Sequence, residues 1–143
     1  MQPLELPIRF ELIRPDVPSE TAYFLESGLA SVVATNSDDE TAEVGHIGYE
    51  GMAGAHVLLK VDQTPNRTFM QAGGHGIRCR YPHFFQWRNG FRGANDLLLK
   101  YMHYCALQLA HSALANARYN LTERLARWLL IVTTGCRTMI CLL

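Results

Sequence analysis

Two hydrophobic rhythms divide this chain. Up to about Tyr81, apolar residues recur at every second position in short runs; from about Ala94 they recur at steps of three and four. The first rhythm predicts strands and the second predicts helices. Leu6, Ile8, Phe10 and Leu12 alternate within a segment that carries Pro3, Pro7, Pro15 and Pro18, a short strand with proline-marked ends. Thr21 to Leu25 and Leu29 to Thr35 are further strands, the second rich in β-branched residues. The polar run Asn36 to Glu40 predicts a hairpin turn that brings Thr41 to Ile47 back antiparallel. Ala55 to Lys60 reads as one or two helical turns, and Arg67 to Ala72 and Ile77 to Tyr81 as strands joined by a turn at Gly73, Gly74 and Gly76. Pro82 to Arg92 reads as a short aromatic helix. Many short strands joined by glycine and asparagine turns predict an antiparallel roll or barrel.

The helical stretch from Leu97 to Leu130 contains no proline and no glycine. Leu98, Met102, Cys105, Leu109, Ser112, Asn116 and Tyr119 form a seam of alternating four- and three-residue steps. Between Leu97 and Ala117 the only formal charge is Lys100, and Leu97, Tyr101, Tyr104, Leu107, Ala110 and Leu114 occupy other faces. Two readings follow: a helix packed between its own domain and a symmetry mate, or a central helix of a monomer. Asn120, three residues before Glu123, makes a capping box that divides the stretch in two. At ~1.5 Å per residue the first helix spans roughly 25–35 Å. The tail from Thr133 to Leu143 is apolar at its end and matches no element.

Composition changes this picture little. The chain has 143 residues, 48% hydrophobic and 18% charged, which predicts one folded domain with a real core. No apolar run is long enough to span a membrane. The N-terminus lacks the order of a signal peptide, which places the protein in the cytoplasm. Cys79, Cys105, Cys136 and Cys141 form no CxxC pair, and Cys79 and Cys105, in apolar surroundings, are expected to be reduced core residues. Charge is uneven although its sum is zero: residues 1–50 carry ten acidic and two basic side chains, residues 51–143 three and eleven. That split fits either an anion-binding second half or complementarity between the halves.

Candidate chemistry is sparse. Gly45, Gly48, Gly51 and Gly54 fall at every third position, without the sequence of a P-loop or a dinucleotide-binding loop. Their backbone amides are a candidate anion cradle, and a chain of turns is the alternative. His75, Cys79 and His83 share a spacing of four, but glycines and Pro82 interrupt any helix there, and no metal site is predicted. No serine lies in a GxSxG elbow and no carboxylate pair suggests hydrolysis, so the chain is not expected to be an enzyme. Arg67 and Thr68 together offer a guanidinium and a hydroxyl to one phosphate, and Glu50 offers a carboxylate to sugar hydroxyls. Arg78 and Arg80 share a strand face and are expected to face solvent.

The segments LASVVAT, EVGHIGYEGMAG, RTFMQ and ALANARYNLTERLARWLL, in that order, resemble the sensory half of Crp/Fnr-superfamily transcription regulators over residues 4–132. The resemblance implies a mainly β fold with C-terminal helices. A cyclic-nucleotide-binding-like β-roll (an antiparallel double-stranded β-helix of jelly-roll type) would occupy residues 1–93. A long dimerisation helix would follow at 94–119, a post-hinge helix at 120–132 and an atypical tail at 133–143. It implies a homodimer through Leu98, Met102, Cys105, Leu109, Ser112 and Asn116. It implies a pocket at Glu50, Gly51, Arg67 and Thr68 for a cyclic nucleotide, cyclic AMP or cyclic GMP. Family members continue into a winged helix-turn-helix; TTGCRTMICLL does not resemble that continuation, so this chain alone is not expected to bind DNA. The alternative is a stand-alone dimeric small-ligand-binding protein.

Overall fold

Asn36 closes the hairpin that the polar run predicts. Its side-chain Oδ1 accepts the backbone N–H of Asp38 at 3.0 Å and of Glu40 at 2.9 Å. The flanking strands β4 (Leu29–Thr35) and β5 (Thr41–Ile47) pair antiparallel, with a bulge between Val32 and Val33. The computed structural model describes residues 1–49 and 51–135. Before the hairpin come β1 (Gln2–Leu6), β2 (Glu11–Ile13) and β3 (Thr21–Leu25); after it come β6 (Met52–Ala53), a 3-10 turn at Ala55–Leu59, β7 (Arg67–Ala72) and β8 (Gly74–Arg80). Three helices follow: α1 (Tyr81–Gly90), α2 (Ala94–Arg118) and α3 (Leu121–Gly135).

The strands do not build the roll expected from the sequence. They form two separate four-stranded antiparallel sheets, ordered β1-β8-β3-β6 and β2-β7-β4-β5. Among the described residues no strand pairing closes either sheet or joins one to the other. Alternation specifies one buried face per strand, and that requirement is the same for two stacked open sheets as for a closed roll. The single strand predicted around Leu6–Leu12 is also divided. Pro7 opens a turn in which the Phe10 N–H donates to the Pro7 carbonyl at 3.0 Å, Arg9 takes a φ of 68°, and Ile8 is left exposed. The chain thereby passes from the first sheet at Leu6 to the second at Glu11.

The sheets share one core. Leu6, Leu25 and Ala53 of the first pack against Ile13, Ala30 and Met70 of the second. A second cluster lies beneath α1 and α2, where Phe84 and Leu98 cover Ala22, Met52, Cys79 and Tyr81. The turn expected at Gly73 to Gly76 is mostly strand: β8 begins at Gly74, and a Cβ there would collide with the Ser27 carbonyl and sit 2.7 Å from the Gly28 nitrogen. Both obstacles are backbone. A Gly74→Ala variant is therefore expected to lose about 1–3 kcal/mol of stability, read as an earlier urea midpoint.

Candidate functional site

Between the second sheet and α2 lies a cavity of about 170 Å3. Val32, Val44, Gly45 and Ile47 form its sheet wall, and Met102, Cys105, Gln108 and Leu109 its helix wall. The strand pleat and the helical repeat produce this arrangement together. Val32, Thr68 and Ile47 turn inward by two-residue alternation. Met102, Cys105 and Leu109 repeat at three and four along α2. Thr64, Asn66 and Thr68 make one polar patch in the wall, and the Asn66 N–H donates to Thr64 Oγ1 at 3.3 Å. Across the rim, the Tyr101 hydroxyl accepts the Met52 N–H at 2.9 Å and so ties α2 to β6. His56 lines the wall as well; burial pushes its imidazole pKa down, against a backbone hydrogen bond and the charge of Asp62. Among the described residues, no lysine, arginine, aspartate or glutamate lines the cavity.

The residues expected to hold a nucleotide are only partly assembled around this space. Thr68 is buried in the wall. Arg67, its neighbour on β7, is turned to the opposite face of the sheet, where its Nε donates to Glu11 Oε1 at 2.8 Å and its guanidinium lies 5.0 Å from the Phe69 ring centre. Gly51 sits at the closed end of a tight turn, its N–H donating to the Gly48 carbonyl at 2.9 Å and its Cα facing Ile47 and the Tyr101 hydroxyl. Glu50 lies outside the described residues, as do Cys136, Cys141 and the rest of the tail beyond Gly135.

The helical seam also divides. Leu98 is buried in the second core cluster, Met102, Cys105 and Leu109 line the cavity, and Ser112 accepts a hydrogen bond from Arg127 at 3.0 Å. Leu98 thus faces the protein's own core and Ser112 faces α3, while Leu109, 48% exposed, and Asn116 remain open on the single chain. Also exposed on α2 are Leu97, Tyr104, Leu107 and Leu114, spaced seven, three and seven residues apart. His75 bonds Ser27 Oγ at 2.7 Å, Cys79 is buried and His83 is exposed. Among the described residues no group of three potential ligands could hold a metal. Arg78 and Arg80 face solvent as expected, Arg78 bonding Gln2 Oε1 at 2.8 Å.

One constellation escaped sequence reasoning. Glu43, on the outer face of β5, accepts hydrogen bonds from Ser31 Oγ and, at 3.2 Å, from Trp128 Nε1 of α3. His46 Nε2 approaches the same carboxylate to 2.7 Å, off the direction of a well-formed hydrogen bond. Ser31 lies in a β-branched strand and Trp128 is 85 residues from Glu43, so no local pattern signals their meeting. Burial pushes the Glu43 carboxyl up, but the contacts from His46, Ser31 and Trp128 outweigh it and hold it below its usual range. Trp128 also packs with Val132 on Leu29 and Ala72, so α3 is docked on the second sheet by a carboxylate and an apolar patch together. The start of α3 is capped as predicted: the Glu123 N–H donates to Asn120 Oδ1 at 3.0 Å, and the Asn120 N–H to Glu123 Oε2 at 2.9 Å.

No protein-family model and no curated protein matches the chain. Solved structures do. The c-di-GMP-responsive global regulator CLP of Xanthomonas campestris aligns at 21% identity and a TM-score of 0.69, over 91% of this chain and 66% of its own. FixK2 of Bradyrhizobium japonicum aligns at 14% and 0.75, over 90% and 64%. The catabolite activator protein of Thermus thermophilus aligns at 12% and 0.63, over 81% and 54%. The chain thus shares its fold with bacterial regulators and spans two thirds or less of their length. Two of these three structures are described as a global regulator and a catabolite activator protein.

Proposed function

We propose that this chain is the sensory and dimerisation part of a Crp/Fnr-type transcription regulator, with a small effector bound between the second sheet and α2. The observation that carries this reading is the double role of α2. One face of the helix walls the cavity and the other is an unpartnered apolar stripe. An effector that fills the cavity presses on the same helix that would meet a second copy, and α3 follows after the Asn120 cap. Coupling of that kind needs only that the effector prefer one position of α2 over another. In this reading residues 1–93 sense, 94–119 dimerise and 120–132 transmit. The protein would work in the cytoplasm as a homodimer. Among the described residues no helix is long and apolar enough to cross a membrane.

A cyclic nucleotide held by Glu50, Gly51, Arg67 and Thr68 is a second reading of the effector, favoured by Thr68 in the cavity wall. It requires Arg67 to leave Glu11 and Phe69. Amide hydrogen exchange tests the sensory proposal directly. An effector is expected to change protection in the cavity wall and also in α3, which does not line the cavity. Effector binding with no change in α3 would leave a stand-alone ligand-binding protein as the better description.

A further inference from the structure

We infer that the cavity between the second sheet and α2 takes a small, uncharged, mostly apolar molecule carrying one hydrogen-bonding group, rather than a nucleotide. The inference rests on the proposed sensory role of this site and names the chemistry of its effector.

Size is the first argument. The space measures about 170 Å3 and is open to solvent along one side, so its size bounds the part of a ligand that it encloses. An apolar protein cavity of about 150 Å3 accommodates benzene. Sites that enclose larger ligands run to roughly 300–1,000 Å3, the class to which a cyclic nucleotide of roughly twenty non-hydrogen atoms belongs. Charge is the second. A phosphate withdrawn from water needs a cation or several aligned donors to replace its hydration. Among the described residues the lining offers no lysine or arginine, and the nearest candidate, Arg67, is engaged by Glu11 on the far face of the sheet. The wall itself is the third. Val32, Ile47, Met52, Met102 and Leu109 are apolar; Thr64, Asn66 and Thr68 make a neutral polar patch on the segment that leads into β7, and His46, His56, Tyr101 and Gln108 are the other polar side chains of the lining. Such a wall orients a ligand with one hydroxyl, amine or carbonyl at one end and an aromatic or short aliphatic body at the other.

Gly45 supplies the control. A Cβ at this position would meet only ordinary van der Waals neighbours, Leu109 Cδ2 at 3.8 Å and Val32 at 3.9 Å, so a valine there extends into the cavity without displacing backbone. Cys105→Phe fills the same space from the helix side. The purified full chain is titrated with indole, benzene, cyclic AMP and cyclic GMP by calorimetry and ligand-observed NMR, with both variants in parallel. Indole or benzene is expected to bind the parent and to lose about tenfold or more in affinity in whichever filled variant retains a cooperative melt; the nucleotides are expected not to bind. Nucleotide binding without apolar binding overturns the inference, as does binding of none of the four. Apolar binding unchanged in a folded, filled variant also overturns it, because the ligand then sits elsewhere. Hydrogen exchange on the same samples separates the two claims. Indole binding without a response in α3 keeps the ligand class and removes the sensory role; nucleotide binding with a response does the reverse.

Discussion

A Leu107→Asp, Leu114→Asp double variant is expected to sediment as a folded monomer at concentrations where the parent chain is a dimer. The two leucines are 46% and 51% exposed on the single chain, and Leu97 and Tyr104 continue their stripe at 66% and 47%. Together they lie along a 25-residue helix, with spacings that return to one face every seven residues. Burying a leucine against a partner contributes about 1.5–3 kcal/mol. Placing a carboxylate there removes that gain and adds the cost of desolvating a charge with no cation opposite. A matched Leu98→Ala variant should behave differently. Leu98 is 7% exposed and packs against Phe84 and Met52, so its loss is expected to lower unfolding stability by about 2–5 kcal/mol. Equilibrium sedimentation beside urea unfolding reads both. A parent that is already monomeric at ~100 μM would sink the interface, because an apolar surface of standard size should hold at that concentration.

The comparison of Leu98 with Leu107 marks what the sequence could and could not say. The long helix and the Asn120 box were legible because propensity, capping and period are local properties, but the break expected at Thr133–Gly135 is absent, α3 running on to Gly135. Which residues of its apolar seam stay open was legible only in part: Leu98 is covered by α1, while Leu109 and Asn116 of the same seam are exposed. The strands around Leu29–Ile47 were legible from β-branched alternation and a polar turn. The break at Pro7 was not, because Ile8 and Phe10 keep the alternation going through a turn in which Arg9 is left-handed. The pairing of strands into two open sheets also depends on partners far apart in sequence, such as Leu4 with Gly76 and Ala30 with Met70. Within the candidate site, the alternation that turns Thr68 into the cavity wall turns Arg67 to the opposite face. A phosphate clamp drawn from two adjacent strand residues therefore conflicts with the pleat unless the strand is irregular there.

Glu43 carries the other large expected effect. It is the meeting point of β4, β5 and α3, and its side chain is 27% exposed. Glu43→Ala would leave the Ser31 hydroxyl and the Trp128 indole without their shared acceptor, at an expected cost of about 2–3 kcal/mol. The change should also loosen α3 from the sheet, seen as a shift in Trp128 emission at low urea before the main transition. Glu43→Gln separates charge from shape, since its amide oxygen can still accept while the carboxylate is gone. The pH dependence then has a definite sign. The folded-state pKa of Glu43 is held below its unperturbed value of 4.5, so the unfolded chain binds more protons in the window between them. The stabilisation from the carboxylate is full above that value and declines as pH falls through the depressed folded pKa. Parent and Glu43→Gln stability curves are expected to converge on going from neutral pH into this acid window, all other carboxylates being common to both. Parallel curves throughout would mean that the contacts from Ser31, His46 and Trp128 do not favour the charged form, and that α3 is held by Trp128 and Val132 packing alone.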